Sequence, residues 1–244
     1  MKRKAYIVAI TGASGSIYGF RLLEELIKHD FYVYLIISKP AFKVIRNELN
    51  MFGGLDKLNR DRYIDNNFAG EGEAAIEENF LTPETYDGRD AYVYDEIKSK
   101  FNIDSKNKES SRNNYEYLDE MFIEAKISSG SAADVRGMAV VPCSMGSLSR
   151  IANGISGNLI ERASDVMLKE RKKLIICPRE TPLNDIHLKN MLSLSRAGAV
   201  ILPPTPAFYN RPESIDDIIN FITGKIMDSF GIENNIYKRW NPDY

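Results

Sequence analysis

Apolar residues run unbroken at three places along the chain, and each run ends in a short loop of small or polar residues. Ala5–Ile10 (AYIVAI) leads into Thr11–Ser16 (TGASGS), Ala139–Val141 into Pro142–Ser147 (PCSMGS), and Leu174–Cys177 (LIIC) into Pro178–Pro182 (PRETP). Continuous rather than alternating apolar character predicts strands buried on both faces. Between the runs the period changes to that of a helix. Ile17, Phe20, Leu22, Leu23, Leu26 and Ile27 form one apolar stripe over Ile17–Lys28. Phe31–Ser38 then predicts a second strand and Ala41–Leu49 a second helix, with Pro40 near its first turn. The alternation resumes with a strand at Met138–Pro142, a helix at Asn158–Glu170 and a strand at Lys173–Cys177. A helix at His187–Arg196 stopped by Gly198, a strand at Ala199–Leu202, and a last helix from Ser214 to Phe230 complete it. Strands joined by helices through short loops imply right-handed parallel crossovers, hence an open parallel α/β sheet with helices on both faces, in three layers. Loops at the carboxyl ends of such strands line one crevice, where ligands bind.

Residues 52–127 break the pattern. They hold 18 acidic and 10 basic residues, a net of −8, and only short apolar pieces. The rest of the chain carries +6, so the whole stands at −2. A stretch of this length is too long for a bare loop, and reads as an acidic insertion, with some helix and a hairpin, within one domain spanning residues 1–244. The positive body suits phosphorylated ligands, while the small total charge gives no reason to expect nucleic acid or a membrane surface. The basic residues Lys2, Arg3 and Lys4 precede an apolar run of about six residues, short of the roughly 7–15 of a secretory signal. No run approaches the roughly 20 apolar residues that span a bilayer. The two cysteines, Cys143 and Cys177, close buried strands and read as small core groups or ligand contacts. Without a framework of paired cysteines, a cytoplasmic location is expected.

The loops carry the chemistry. In Thr11–Ser16, Gly12 and Gly15 allow a tight turn and close approach to a ligand, with helix N–H groups facing an anion. The plain alternative is a turn in which Ser14 or Ser16 caps the helix. The loop matches neither the dinucleotide fingerprint nor the P-loop. Ser144 and Ser147 offer hydroxyls to a phosphate or a flavin edge, or serve as turn and cap. Arg179 and Glu180 follow a buried strand; they form either a solvated pair or a phosphate-binding cation beside a proton-transfer group. Tyr209 divides between core packing and ligand contact, and Lys225 alone reads as a surface lysine. Trp240, the only tryptophan, packs back on the body or reaches a neighbouring subunit. His29 reads as surface and His187 as a helix cap or hydrogen-bond partner. Two histidines without a ligand cluster give no zinc or iron site, and neither stands near a nucleophile elbow.

The segments Ile10–Gly19, Ile37–Lys39, Pro142–Leu148, Asn158–Asp165, Leu168–Arg171, Pro178–Pro182, His187–Met191, Gly198–Pro203, Phe208–Tyr209 and Arg239–Trp240 together closely resemble the UbiX family of flavin prenyltransferases. The resemblance covers residues 5–50 and 128–241. It implies a Rossmann-like or flavodoxin-like fold and a metal-independent transferase. Such enzymes join the dimethylallyl group of dimethylallyl monophosphate to N5 and C6 of reduced FMN. The resulting prenylated FMN serves UbiD-type decarboxylases. By the same resemblance, FMN is held by Gly12, Ala13, Ser14, Ser38, Ser144, Met145, Gly146, Ser147 and Arg179. The allyl phosphate falls to Lys169, Arg179, Tyr209, Lys225 and Trp240. Ser14, Glu48, Lys169 and Glu180 take the catalytic roles, and the family's homo-oligomer is a dodecamer. Two departures stand out. Lys225 occupies a position commonly Arg in relatives, keeping the charge but losing the planar fork. Residues 52–127 also exceed the family's usual connection, which bears on whether the dodecamer forms.

Two other functions share parts of this pattern. An FMN-dependent cysteine-type decarboxylase has the same α/β body but needs a His after the second strand region, and no His occurs between residues 30 and 186. A non-catalytic FMN carrier would keep the Gly/Ser loops but have no use for Glu48, Glu180, Lys169 and Tyr209 together.

Overall fold

The computed structural model describes residues 3–51, 114–131 and 134–240. Two compact units divide the chain, Met1–Val44 with Arg112–Tyr244, and Ile45–Ser111. Of the second unit, only residues 45–51, the end of one helix, are among the described residues.

The first unit is built on six parallel strands: β1 (Ala5–Ile10), β2 (Tyr32–Ile37), β3 (Tyr115–Asp119), β4 (Val135–Cys143), β5 (Lys173–Pro178) and β6 (Val200–Ile201). They lie in the order β3-β2-β1-β4-β5-β6. Chain order thus runs outward from β1 in one direction and outward from β4 in the other, the 3-2-1-4-5-6 order of a doubly wound sheet. Every residue of β1 is buried, as its unbroken apolar run requires. β2 pairs with it in register from Ala5 opposite Tyr32 to Ile10 opposite Ile37.

The helices are α1 (Ser16–Lys28), α2 (Lys39–Met51), α3 (Met145–Ala152), α4 (Leu159–Lys169), α5 (Asp185–Ala197) and α6 (Ile215–Phe230). Because the order reverses at β1/β4 while crossovers stay right-handed, α1 covers one face and α3, α4 and α5 the other. α6 returns to pack on α1. Arg21 of α1 donates to Asp216 of α6 at 3.1 Å across that contact. On the other face, Leu148, Ile151, Leu159, Ile160, Ala163 and Met167 bury themselves against Met138, Val140, Leu174 and Ile176.

Three elements differ from the sequence expectation. α3 occupies a stretch that reads as loop, because its first turn is Met145, Gly146 and Ser147. β3, within the 52–127 segment, and a short 3₁₀ turn at Lys126–Ser128, across its end, belong to the first unit. Residues 52–113 of that segment, and with them the expected helix and hairpin, lie outside the described residues. Third, neither Ser14 nor Ser16 caps α1. Its N-cap is Gly15, in the left-handed region at φ 101°, with no side-chain cap hydrogen bond. A side chain there is strained, so the turn calls for glycine. No helix among the described residues is long and apolar enough to cross a membrane.

Candidate functional site

The loops after β1 and β4 leave adjacent strands at the point where the order reverses. Thr11 joins them. It has no exposed surface, its hydroxyl donates to the Pro142 carbonyl at 2.9 Å, and its oxygen accepts the Ser144 N–H at 2.7 Å. The loop after β2 closes in from the other side: Ser38 N–H bonds Ile10 O at 2.9 Å. A Cβ on Gly12 would fall 2.7 Å from Pro40 Cβ, so only glycine lets the β1 loop lie against the start of α2. The loop after β5 is tied in by Arg179 N–H, which bonds Cys143 O at 3.1 Å.

Gly12, Ala13, Ser14, Ser38, Ser144, Met145, Gly146, Ser147 and the backbone of Arg179 are therefore gathered around one crevice. α1 and α3 both begin there, and helix amino ends present N–H groups to an anion. Ser14 is exposed, while Ser144 does two things. It caps α3 by accepting the Ser147 N–H at 3.3 Å and donates to Ser147 Oγ at 3.1 Å. A cap and a ligand-facing hydroxyl are compatible, since the oxygen keeps a second lone pair. Gly146 is exposed, and a Cβ there would meet nothing nearer than Arg150 at 3.6 Å. Hydroxyls, helix amino ends and an arginine form a donor set that fits a phosphate ester such as that of FMN.

Arg179 and Glu180 stand exposed at the rim, and Glu180 Oε1 accepts the Thr181 N–H at 3.0 Å. Tyr209 lies in the loop after β6, with its ring edge-on to Phe221 of α6, 6.1 Å between centroids. Lys225, on the same helix, and Trp240, beyond its end, are exposed. Lys169 is elsewhere. It ends α4, at the amino-terminal edge of the sheet, and pairs with Glu170 at 2.6 Å. β5 separates that edge from Arg179, and six residues at about 3.3 Å each make a gap of about 20 Å. Glu48 lies on the part of α2 that belongs to the second unit.

Sequence reasoning passed over several residues. Thr11 is one. Glu120 is another: a buried carboxylate just past β3, it accepts the Lys39 N–H at 2.7 Å at the start of α2. Burial raises its pKa, against the opposing pull of the Lys39 N–H and Arg150. Glu161, also buried, pairs with Arg150 and accepts the Gly157 N–H at 2.8 Å, fixing the turn between α3 and α4. His187 completes a capping box with Asn184 at the start of α5, as its position beside a helix start suggests. The thiols of Cys143 and Cys177 are fully buried, which pushes Cys143 up to about 12 and Cys177 well above its ordinary value. Both are inert core groups.

Doubly wound proteins grip phosphorylated cofactors at their switch point, so fold and crevice define an α/β protein that binds a phosphate ester. The model of the flavoprotein family matches residues 1–227. A flavin prenyltransferase UbiX of Alkalihalophilus pseudofirmus is 40% identical over 237 residues, 97% of this chain and 96% of the relative. Among solved structures, AnUbiX (PadA1) in complex with FMN and dimethylallyl pyrophosphate superposes with a TM-score of 0.70 at 32% identity, covering 98% of both chains. A dodecameric FMN-dependent UbiX-like decarboxylase of Escherichia coli O157:H7 gives 0.69 at 31% identity, covering 97% of this chain and 99% of that one. The chain belongs to the UbiX flavin prenyltransferase family of flavoproteins.

Proposed function

We propose that this chain transfers a dimethylallyl group from a dimethylallyl phosphate ester to N5 and C6 of reduced FMN, and that a UbiD-type decarboxylase takes up the prenylated FMN. The observation that carries the reading is the crevice between β1 and β4, where helix amino ends and serine hydroxyls converge under the Thr11 bridge. Ser14, Ser38, Ser144, Ser147 and Arg179 would hold the FMN phosphate and edge, with Gly12, Ala13, Met145 and Gly146 allowing close approach. Bound there, reduced flavin supplies the nucleophilic positions.

The remaining residues handle the leaving group. A departing phosphate is stabilised by fixed cations and a proton source in a site shielded from water. Arg179, Lys225 and Lys169 are the cations, Tyr209 a hydrogen-bond donor, and Glu180 moves protons with Ser14; a proton-transfer role for Glu48 rests on the family resemblance alone. Trp240 offers a flat wall to the cation-like allyl carbon. Lys169, at the opposite edge of its own sheet, would enter the site from a neighbouring copy in a homo-oligomer. α5 supports such an assembly: Leu183 just before it and Ile186, Leu188 and Leu192 along it are exposed, and only Leu194 of the helix is buried. The dodecameric relative points the same way. We place the enzyme in the cytoplasm, working without a metal.

The test is incubation of purified protein with reduced FMN and either the monophosphate or the diphosphate donor, read by mass spectrometry. A flavin heavier by one five-carbon unit is expected. Unmodified FMN beside intact donor would identify a carrier, and carbon dioxide released from a cysteine-ending peptide would identify a decarboxylase.

A further inference from the structure

Tyr209 is 56% exposed and sits on a loop, yet its ring is held. It meets Phe221 edge-on at 6.1 Å and 85°. Phe221 is buried in α6 and meets Tyr237 in the same geometry, at 5.3 Å and 85°. Tyr237 belongs to the segment that follows α6, and its far side is clamped. Its hydroxyl donates to Asp228 Oδ2 at 2.6 Å, and Arg239 Nη1 donates to that hydroxyl at 3.0 Å. The guanidinium carbon of Arg239 stands 5.0 Å from the Tyr237 ring centre.

Arg239 also forks onto Asp228, with Nη2 to Oδ1 at 2.8 Å and Nη1 to Oδ2 at 3.1 Å, and Nη2 reaches Asn234 O at 3.1 Å. Asn234 Nδ2 donates to Asp228 Oδ1 at 2.9 Å. Gly224 makes the seat: a Cβ there would lie 2.2 Å from Tyr237 Cδ1. Lys225 is the next residue. The chain of contacts therefore runs from an ion pair, through two aromatic rings, to Tyr209, and its seat adjoins Lys225.

We propose that Tyr237, Asp228 and Arg239 are positioning residues for the allyl donor, fixing the Tyr209 ring through Phe221. This rests on the reading above that Tyr209 and Lys225 receive the donor phosphate. A loop tyrosine left to itself samples several rotamers, and ordering it on binding weakens affinity. An edge-to-face contact with a ring that cannot move selects one orientation beforehand. Phe221 cannot yield, because Tyr237 backs it and Arg239 and Asp228 back Tyr237 by a bidentate pair. The clamp touches none of the crevice around Thr11, so its effect falls on the donor and not on FMN.

Two measurements test this. In steady-state kinetics, Tyr237→Leu raises the donor KM about tenfold with kcat and FMN affinity within about twofold, and Tyr237→Phe, which keeps the ring, falls between. In a Tyr209→Ala background Tyr237→Leu adds nothing further, as expected of residues acting in series. An unchanged KM, or effects that add, would overturn the proposal. The second measurement needs no turnover. In protein labelled with 3-fluorotyrosine, the Tyr209 signal, identified by its loss in Tyr209→Phe, shifts in Tyr237→Leu without ligand. A Tyr209 signal that stays in place refutes the positioning role even if the wild type makes no prenylated flavin. Should Tyr237→Leu fail to fold, Arg239→Gln, on the exposed side of the clamp, must move the same signal and the same KM in the same direction.

Discussion

At the scale of the single residue, Thr11 decides whether two loops form one crevice. Its hydroxyl joins the end of β1 to the end of β4 across 131 residues of sequence. Thr11→Val keeps the shape and removes both bonds. Pro142 O retains the Thr11 N–H at 3.2 Å, but the Ser144 N–H loses its acceptor. An unsatisfied donor of this kind costs about 1–3 kcal/mol. Thr11→Val should therefore lower the melting temperature and weaken FMN binding in a fluorescence titration, while Thr11→Ser keeps both near wild type. A valine variant as stable and as tight as the parent would remove Thr11 from this role. The serines and glycines of the two loops are legible in the sequence because turn chemistry is local. Thr11 is printed in the same motif, but a bond between distant strand ends leaves no mark on the spacing around it. Ser14 shows the converse. Locally it reads as a helix cap, and only the backbone geometry at Gly15 frees it from that role.

At the scale of elements, Glu120 links β3 to two helices. Beyond its bond from Lys39, Oε2 accepts Asn158 Nδ2 at 3.4 Å, and its carbonyl accepts Leu159 N–H at 2.7 Å at the start of α4. Burial, with Asp119 nearby, raises its pKa above the ordinary 4.5, and Lys39 and Arg150 pull the other way without prevailing. The folded state therefore disfavours the ionised form, and the loss of stability grows as pH rises from 4.5 through the raised value. Glu120→Gln should gain stability relative to wild type over that rise, measured as urea midpoints at acid and neutral pH. A wild type that instead gains on the variant would mean the carboxylate is net stabilised there. The central strands and long helices were readable because burial on both faces, or on one stripe, imposes its period on the sequence. β3 was not. An edge strand with exposed Glu116 and Asp119 around a single buried Leu118 looks like its acidic surroundings. α3 escaped because a Ser cap followed by Met, Gly and Ser reads as a turn, and the stripe of Leu148 and Ile151 is too short to announce a helix. α5 begins two residues before the expected His187, since the Asn184–His187 box sets its start.

At the scale of the whole molecule, the proposed function asks Lys169 and Glu180 to serve one reaction from opposite edges of a sheet. Glu180 follows β5 and Lys169 precedes it, so no movement short of unfolding α4 brings them together within a chain. A rotation that closes a homo-oligomer can do so by apposing the two edges of different copies. This gives complementation a definite sign. Lys169→Ala and Glu180→Gln should each lose most prenyl transfer as pure oligomers while still binding FMN. Co-assembled in equal amounts, random mixing leaves about a quarter of the shared sites with both native residues, and activity should return to about that fraction of wild type. Were Lys169 and Glu180 to act from the same chain, every site in the mixture would lack one of them and no activity would return. The apolar face of α5 makes the assembly testable apart from catalysis: Ile186→Glu should reduce the sedimentation coefficient and, by separating the copies, abolish complementation along with it.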